Sequence, residues 1–160
     1  MKRFLLYVVS SGIMCAVLNH CVRADTDVEN QQLNFGISET FTLGIAGGSV
    51  QFGSVVPLSS PYTVPGGTTL TIDSNHKNGW TLKVKGTGNL TSGSYTIPLS
   101  QLAVRTGADP YVALSTSQQN LKTGGNGTTV LSVDYKLSVN WADTAASGYT
   151  TQVVYYLIGN

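Results

Sequence analysis

The residues that could take part in catalysis are few and scattered. His76 is the only histidine beyond residue 24, and it lies in the polar run 73–79. A Ser-His-Asp triad would need a serine on a strand-to-helix elbow to partner this histidine, and the sequence has none. No two acidic residues lie close together within one apolar segment. The sequence therefore predicts no catalytic residues, and we expect that the protein is not an enzyme.

Loops that could bind a metal or a phosphate have simpler explanations. Asp73, Asn75 and Asn78 could supply oxygen ligands to calcium, but this turn lacks a run of acids and a terminal bidentate glutamate. Turn propensity accounts for the same residues. The glycine-rich run 124–127 precedes neither a lysine nor a helix signal, which predicts a hairpin loop instead of a phosphate loop. Zinc would need three or four ligands that the chain does not offer. We therefore expect no metal and no cofactor.

Aromatic side chains are the remaining candidates, because they can stack on sugars or contact a partner. Trp80 and Trp141 are in phase with the aliphatic residues of their segments, so both are expected in the core. Tyr155 and Tyr156 are adjacent, so one of the two is expected to face outward. Tyr149, Tyr155 and Tyr156 are therefore the candidate partner-contact residues.

The elements that must position these side chains are all short strands. From about Leu33 onward no segment has the helical apolar period, and apolar residues alternate with polar ones between runs of Gly, Pro, Asn and Ser. The clearest strand spans residues 131–141. The last strand, residues 149–158, is apolar on both faces near its end, which is typical of a central strand or one covered on both sides. Segment 57–67 contains three prolines and two glycines, which predicts a loop or a ragged edge.

Two further signals concern the start of the domain and its turns. The first candidate strand carries an alternating apolar face, formed by Phe35, Ile37, Phe41, Leu43 and Ile45. The pair Asn78-Gly79 predicts a hairpin turn.

About eight strands without helices predict an all-β fold, an antiparallel β-sandwich of the immunoglobulin-like, Greek-key kind. A closed barrel is the alternative.

The first 24 residues have the features of a secretory signal peptide. Lys2 and Arg3 form a basic start, residues 4–18 are almost uncharged and apolar, and Val22-Arg23-Ala24 suits a signal peptidase. We expect cleavage before Asp25, with residues 25–34 as a flexible extension and 35–160 as the β-sandwich domain. Both cysteines precede this cut, and neither follows the small residue that lipid attachment requires. The expected location is secreted or at the cell surface.

The charge balance excludes one class of partner. Without Lys2, Arg3 and Arg23, six basic residues face eight acidic ones. No basic stripe is available for a phosphate backbone, so we expect no nucleic acid partner.

No second long apolar run follows the signal peptide, so we expect no transmembrane segment in the mature chain.

Two short motifs resemble those of a known family. Gly79-Trp80-Thr81-Leu82, after an Asn-rich turn, resembles the first tryptophan-x-leucine motif of the WxL surface domains of Gram-positive bacteria. Gly148-Tyr149-Thr150-Thr151, followed by Tyr155-Tyr156-Leu157, resembles their second motif with tyrosine in place of tryptophan. The resemblance extends from about Val50 to the C-terminus. It implies a secreted, non-enzymatic β-sandwich associated with the cell wall, with peptidoglycan or another cell-surface glycan as its partner.

A second resemblance implies a different function. The size, the signal peptide and the aromatic C-terminal strand are similar to those of exported pilin subunits of Gram-negative bacteria. In such subunits an N-terminal extension of one copy completes the sheet of the next by strand addition. Residues 25–35 could serve as that extension, and the partner would then be another copy of the chain.

Overall fold

The computed structural model describes residues 31–57 and 61–160. The chain divides into two units, Met1–Gly36 and Ile37–Asn160. Within the first unit, residues 31–36 have no regular secondary structure. The predicted signal peptide, residues 1–24, and residues 25–30 of the predicted extension lie outside the described residues.

The second unit is all-β, as the sequence predicts. Its described residues form ten strands and one 3₁₀ turn, Leu99–Gln101. No helix in the described ranges is long and apolar enough to cross a membrane. The strands are β1 (Phe41–Ala46), β2 (Tyr62–Ser74), β3 (Trp80–Gly86), β4 (Leu90–Ser92), β5 (Tyr95–Ile97), β6 (Leu102–Thr106), β7 (Val112–Ala113), β8 (Gln119–Gly124), β9 (Gly127–Leu137) and β10 (Val153–Gly159).

The strands form an antiparallel sandwich and not a closed barrel. One sheet has the order β1-β2-β9-β6-β7 and the other has the order β10-β3-β8, while β4 and β5 form a separate small pair. Strands distant in sequence are neighbours, as in β2 beside β9, so several connections pass from one sheet to the other. A single hydrophobic cluster receives side chains from both sheets.

The alternation of apolar and polar residues predicts the core positions of β3 and β9 correctly. In β3, Trp80, Leu82 and Val84 are at most 1% exposed, and the residues between them are partly exposed. In β9, Val133 and Leu137 are buried and alternate with partly exposed residues in the same way. Because successive side chains of a strand point to opposite faces, both strands contribute one full face to the core.

Two predicted hairpins are instead crossings between the sheets. β2 and β3 belong to different sheets, so the turn at residues 75–79 carries the chain across the sandwich. The glycine-rich run between β8 and β9 does the same. The crossings touch, since a Cβ on Gly79, which has φ +76°, would collide with the carbonyl oxygen of Gly124. Turn composition indicates that the chain reverses, but it does not indicate which sheet the next strand joins.

Two other strand boundaries concern predicted segments. Segment 57–67, predicted to be a loop or a ragged edge, contains the first part of β2, which pairs with β9 but not with β1. The register between β2 and β9 shifts between Val64 and Thr68, and this bulge accommodates Pro65, which has no N–H to donate. At the other boundary, β1 begins at Phe41, so the predicted first strand is wrong for the residues before it.

Trp141 lies on the surface, so the prediction of two core tryptophans is right for Trp80 and wrong for Trp141. The indole of Trp141 is 87% exposed, whereas Val139 is still buried. A tight turn begins at Asn140, whose carbonyl accepts a hydrogen bond from Asp143 N at 3.1 Å. This turn ends the strand alternation just before the tryptophan.

The last strand is an edge strand, whereas its two apolar faces predicted a central one or one covered on both sides. β10 pairs with β3, from Val153 opposite Gly86 to Gly159 opposite Trp80. On its other edge, no strand from the described part of the chain pairs with it. Val153, Tyr155 and Leu157 pack against the core, while Val154, Tyr156 and Ile158 alternate with them on the outer face.

The division of the β9 side chains into a buried face and an exposed face gives a stability prediction. Leu137→Ala removes a buried side chain and should lower the free energy of unfolding by on the order of 2 to 4 kcal/mol. Ser132→Ala, on the exposed face, should change it by no more than about 0.5 kcal/mol. Urea unfolding measures both values, and equal losses would contradict the assigned facing.

Candidate functional site

One side of the sandwich is incompletely closed. β1 and β10 are edge strands of different sheets and approach each other on this side. Ile45 and Phe41 of β1 lie opposite Leu70 and Ser74 of β2. Leu70 is fully buried, yet Ile45 is 59% and Phe41 43% exposed. The apolar face of β1 is therefore only partly covered at this edge.

Residues 47–56, which we call the strap, follow β1 and lie beside this opening, where they line a cavity together with Ile45 and Val153. Val50, Phe52 and Val55 are half-buried against the core, while Gln51 is exposed. A Cβ on Gly67 of β2 would lie 3.2 Å from a methyl group of Val50, so the strap packs directly on the β2 bulge. The strap thus covers apolar surface in the way that a strand would.

The strap is held by side chains and not by sheet pairing. Among the described residues, its backbone makes hydrogen bonds only at Val56, whose N–H donates to Tyr62 Oη and whose carbonyl accepts from it, both at 3.1 Å. Gly47, with φ +120°, turns the chain away from β2, and a Cβ there would lie 3.2 Å from Gly67 O. Glycine is therefore required where β1 ends and the strap begins.

Two cavities flank the strap. The first has a volume of about 520 Å³ and lies between Ile45, the strap and residues 148–151. The second has about 650 Å³ and lies between the strap, Leu137 and residues 145–149. Both are in the size range of sites that receive small ligands or side chains. The strap therefore fills the opening only in part, and we refer to the opening with its two cavities, which the strap partly fills, as the cleft.

Three hydroxyl groups connect the two sheets beneath the cleft. Thr68 Oγ1 lies 2.8 Å from Tyr135 Oη, which in turn lies 2.7 Å from Tyr155 Oη. Burial, with a smaller contribution from Tyr135, raises the pKa of Tyr155 far above its ordinary value. The phenol is therefore neutral at physiological pH, and it acts as a fixed link between β9 and β10.

The three predicted contact tyrosines occupy different places. Tyr149 lines both cavities, and its hydroxyl donates to Thr144 O at 2.7 Å. Tyr155 lies beneath the cleft and faces the core. Tyr156 lies on the outer face of β10, with the ammonium of Lys85 5.6 Å from its ring centre. The structure thus brings Tyr149 to the cleft, places Tyr155 in the core beneath it, and leaves Tyr156 outside it.

The turn at residues 73–79, the candidate for calcium binding or catalysis, forms contacts within the protein. His76 Nε2 lies 3.4 Å from a carboxylate oxygen of Glu39. Asp73 accepts a hydrogen bond from Thr128 at 2.6 Å, and the side chain of Asn75 accepts one from the backbone just before β1. Within residues 31–57 and 61–160, no group of three His, Cys, Asp or Glu side chains is placed to hold a metal ion. The turn therefore fastens the start of β1.

Sequence reasoning did not find the strap. Val50 and Phe52 alternate as in a strand, and glycines flank them at positions 47, 48 and 53. This pattern is the available signal, because apolar alternation between glycines indicates an extended segment that bends at both ends. The absence of backbone pairing could not be derived from it.

Comparison with known proteins adds no assignment. No family model matches the chain, and no curated protein shows significant similarity to it. The resemblances to WxL domains and to pilins therefore rest on the residues alone.

Asp134 of β9 stabilises the bulge against which the strap packs. Its Oδ1 accepts a hydrogen bond from Gly66 N at 2.8 Å, and its Oδ2 accepts one from Arg105 Nε at 3.0 Å. The Gly66 amide, together with Arg105, holds the pKa of Asp134 below its ordinary value of 3.8. The folded state therefore binds this proton more weakly than the unfolded state.

This pKa shift gives a pH prediction. The ionised Asp134 stabilises the fold fully above its unfolded pKa, and the contribution is lost as the pH falls from about 4 through the lower folded pKa. Asp134→Asn should unfold more easily at pH 7 and lose less stability between pH 5 and 2. Urea midpoints across this pH range measure the effect, and parallel profiles for the two proteins would contradict it.

Proposed function

We propose that this chain is an exported bacterial cell-surface protein with a passive structural role, and that it assembles with copies of itself at the open side between β1 and β10. The observation that carries the proposal is the position of β10. Its two apolar faces are those of a covered strand, yet it lies at a sheet edge. An apolar, unpaired edge readily accepts a strand from another chain.

The segment before β1 has the pattern that such an edge requires. Leu33, Phe35 and Ile37 are 80%, 86% and 78% exposed. In an extended segment these three side chains fall on one face, because they alternate with Asn34 and Gly36. Burying them in the cleft of a second copy would remove a large apolar surface from water.

The reach of this segment also supports assembly. If the signal peptide is cleaved before Asp25, residues 25–37 form an N-terminal arm that precedes the residues fastened by the turn. An arm of this length spans roughly 40 Å when extended. This distance exceeds the length of β10, so the arm of one copy can extend along the edge of its neighbour without moving its own β1.

A second candidate function is association with peptidoglycan or another cell-surface glycan, and Trp141 favours it. Its exposed indole is carried by a turn in which Asp143 Oδ2 accepts hydrogen bonds from Asn140 N at 2.7 Å and Gln101 Nε2 at 3.2 Å. A flat aromatic face held in this way can stack on a sugar ring. Trp141 lines neither cavity, so glycan binding would use a different surface from self-assembly.

The assembly proposal predicts the effect of changing the arm. The triple variant Leu33→Ser, Phe35→Ser and Ile37→Ser should stay monomeric at concentrations where the exported wild-type chain self-associates, because the arm loses its apolar face. Sedimentation velocity across a concentration series measures the association.

The matched control changes the polar positions of the same arm. Gln32→Ser with Asn34→Ser should associate as the wild type does. A wild-type chain that remains monomeric at millimolar concentration would contradict the assembly proposal, as would a triple variant that associates normally.

The glycan proposal predicts a different variant. Trp141→Ala should reduce retention on purified, protein-free cell walls at least tenfold, while its urea midpoint stays close to that of the wild type because the indole is exposed. The arm triple variant serves as the control and should be retained normally. Equal retention of Trp141→Ala and wild type would exclude this tryptophan as the contact.

A further inference from the structure

The strap lies beside the start of β10, the edge at which an added strand would pair, and it shares a cavity with Val153. It extends from the end of β1 over the bulge of β2 and lines both cavities next to residues 148–151, which lead into β10. Val50 and Phe52 point inward with exposed Gln51 between them, which is the side-chain pattern of a strand. The chain itself therefore shows that the cleft accepts an extended apolar segment.

The strap holds this place without the backbone bonds of a strand. Apart from Val56, its N–H and carbonyl groups have no hydrogen-bond partner among the described residues. An incoming strand would bury a similar set of side chains and would also pair its backbone with a sheet edge. An arm from another copy is therefore better suited to the cleft than the strap is.

Glycines on both sides of Val50 and Phe52 allow this part of the strap to leave without disturbing the sheets. Gly47 and Gly53 both have positive φ, and a Cβ on Gly48 or Gly53 would meet no atom within 4 Å. These glycines permit large backbone rotations at little cost. No ladder hydrogen bond joins the described part of the strap to either sheet, so a rotation there would break none.

The space around the strap matches a bulkier occupant. Cavities of about 520 and 650 Å³ remain on its two sides after Val50, Phe52 and Val55 are in place. Leu33, Phe35 and Ile37 have the same alternate spacing as Val50 and Phe52 and a larger total side-chain volume.

We infer that the strap is an internal plug, which must leave the cleft before the Leu33–Ile37 segment of a second copy can enter. This inference rests on the proposed assembly function and adds its regulation. A chain alone keeps its open side covered by its own strap. Assembly exchanges the strap for the arm of a neighbour.

A disulfide between the strap and β2 tests this directly. Val50 and Gly67 are in contact, and the mature chain has no other cysteine if the signal peptide is cleaved as predicted. In the double variant Val50→Cys with Gly67→Cys, oxidation should slow self-association at least tenfold. Reduction should restore the rate of the same protein. A side chain at position 67 would lie close to the Tyr135 ring, so the single variant Gly67→Cys measures how far this contact alone changes the association rate.

A loosened strap provides a second test that needs no cross-link. Phe52→Ser should increase the association rate several-fold, because it removes the inward side chain that holds the strap. Gln51→Ser, on the exposed face of the same segment, should leave the rate unchanged. Association rates that are equal in the oxidised and reduced protein, or equal for Phe52→Ser and wild type, would overturn the inference.

A labelled peptide separates this inference from the assembly proposal. A fluorescent peptide with the sequence of residues 25–38 should bind the reduced double variant and be excluded from the oxidised one, measured by fluorescence anisotropy. Equal binding to both states would overturn the strap inference and leave the assembly proposal standing. If neither the peptide nor the chain associates with any form, both are wrong.

Discussion

The physical constraint behind this fold is that an apolar sheet edge has to be covered. β10 carries apolar side chains on both faces and pairs with only one strand of the described residues. In a solitary sandwich such an edge invites non-specific pairing. The strap lies beside the start of this edge, where it shares a cavity with Val153, and its three half-buried side chains pack against the core without the hydrogen bonds of a strand. The two remaining cavities mark where this cover is incomplete.

Two sets of side-chain hydrogen bonds hold the residues around the opening in place. The hydroxyl link from Thr68 through Tyr135 to Tyr155 joins the sheets beneath the cleft, so the opening does not depend on the strap for its shape. Asp134 holds the β2 bulge in place through Gly66, which sets the surface that Val50 contacts. Side-chain hydrogen bonds therefore hold the base of the cleft, whereas the described backbone of the strap is hydrogen-bonded only at Val56.

Structural features that neighbouring residues determine could be predicted from the sequence, whereas those that depend on contacts between distant residues could not. Period-two alternation identified the all-β class and the core faces of β3 and β9, because side-chain direction follows from local geometry. It did not identify β10 as an edge strand, since two apolar faces fit a central strand equally well. Trp141 follows the alternation in phase, but the turn at Asn140 turns it outward. Of the candidate site, Tyr149 lines both cavities, but its role as a partner contact stays a prediction, and the position of the strap required the structure.

Amide hydrogen exchange along β10 tests the central claim most directly. In the solitary chain, the β10 amides that face β3 should be protected, and the alternate ones that face away from β3 should exchange within seconds to minutes. When copies assemble, or when the 25–38 peptide binds, the second set should become protected as a new strand pairs with them. If that set is already protected in the monomer, or if it stays unprotected in the assembled protein, then β10 is not the edge at which copies join.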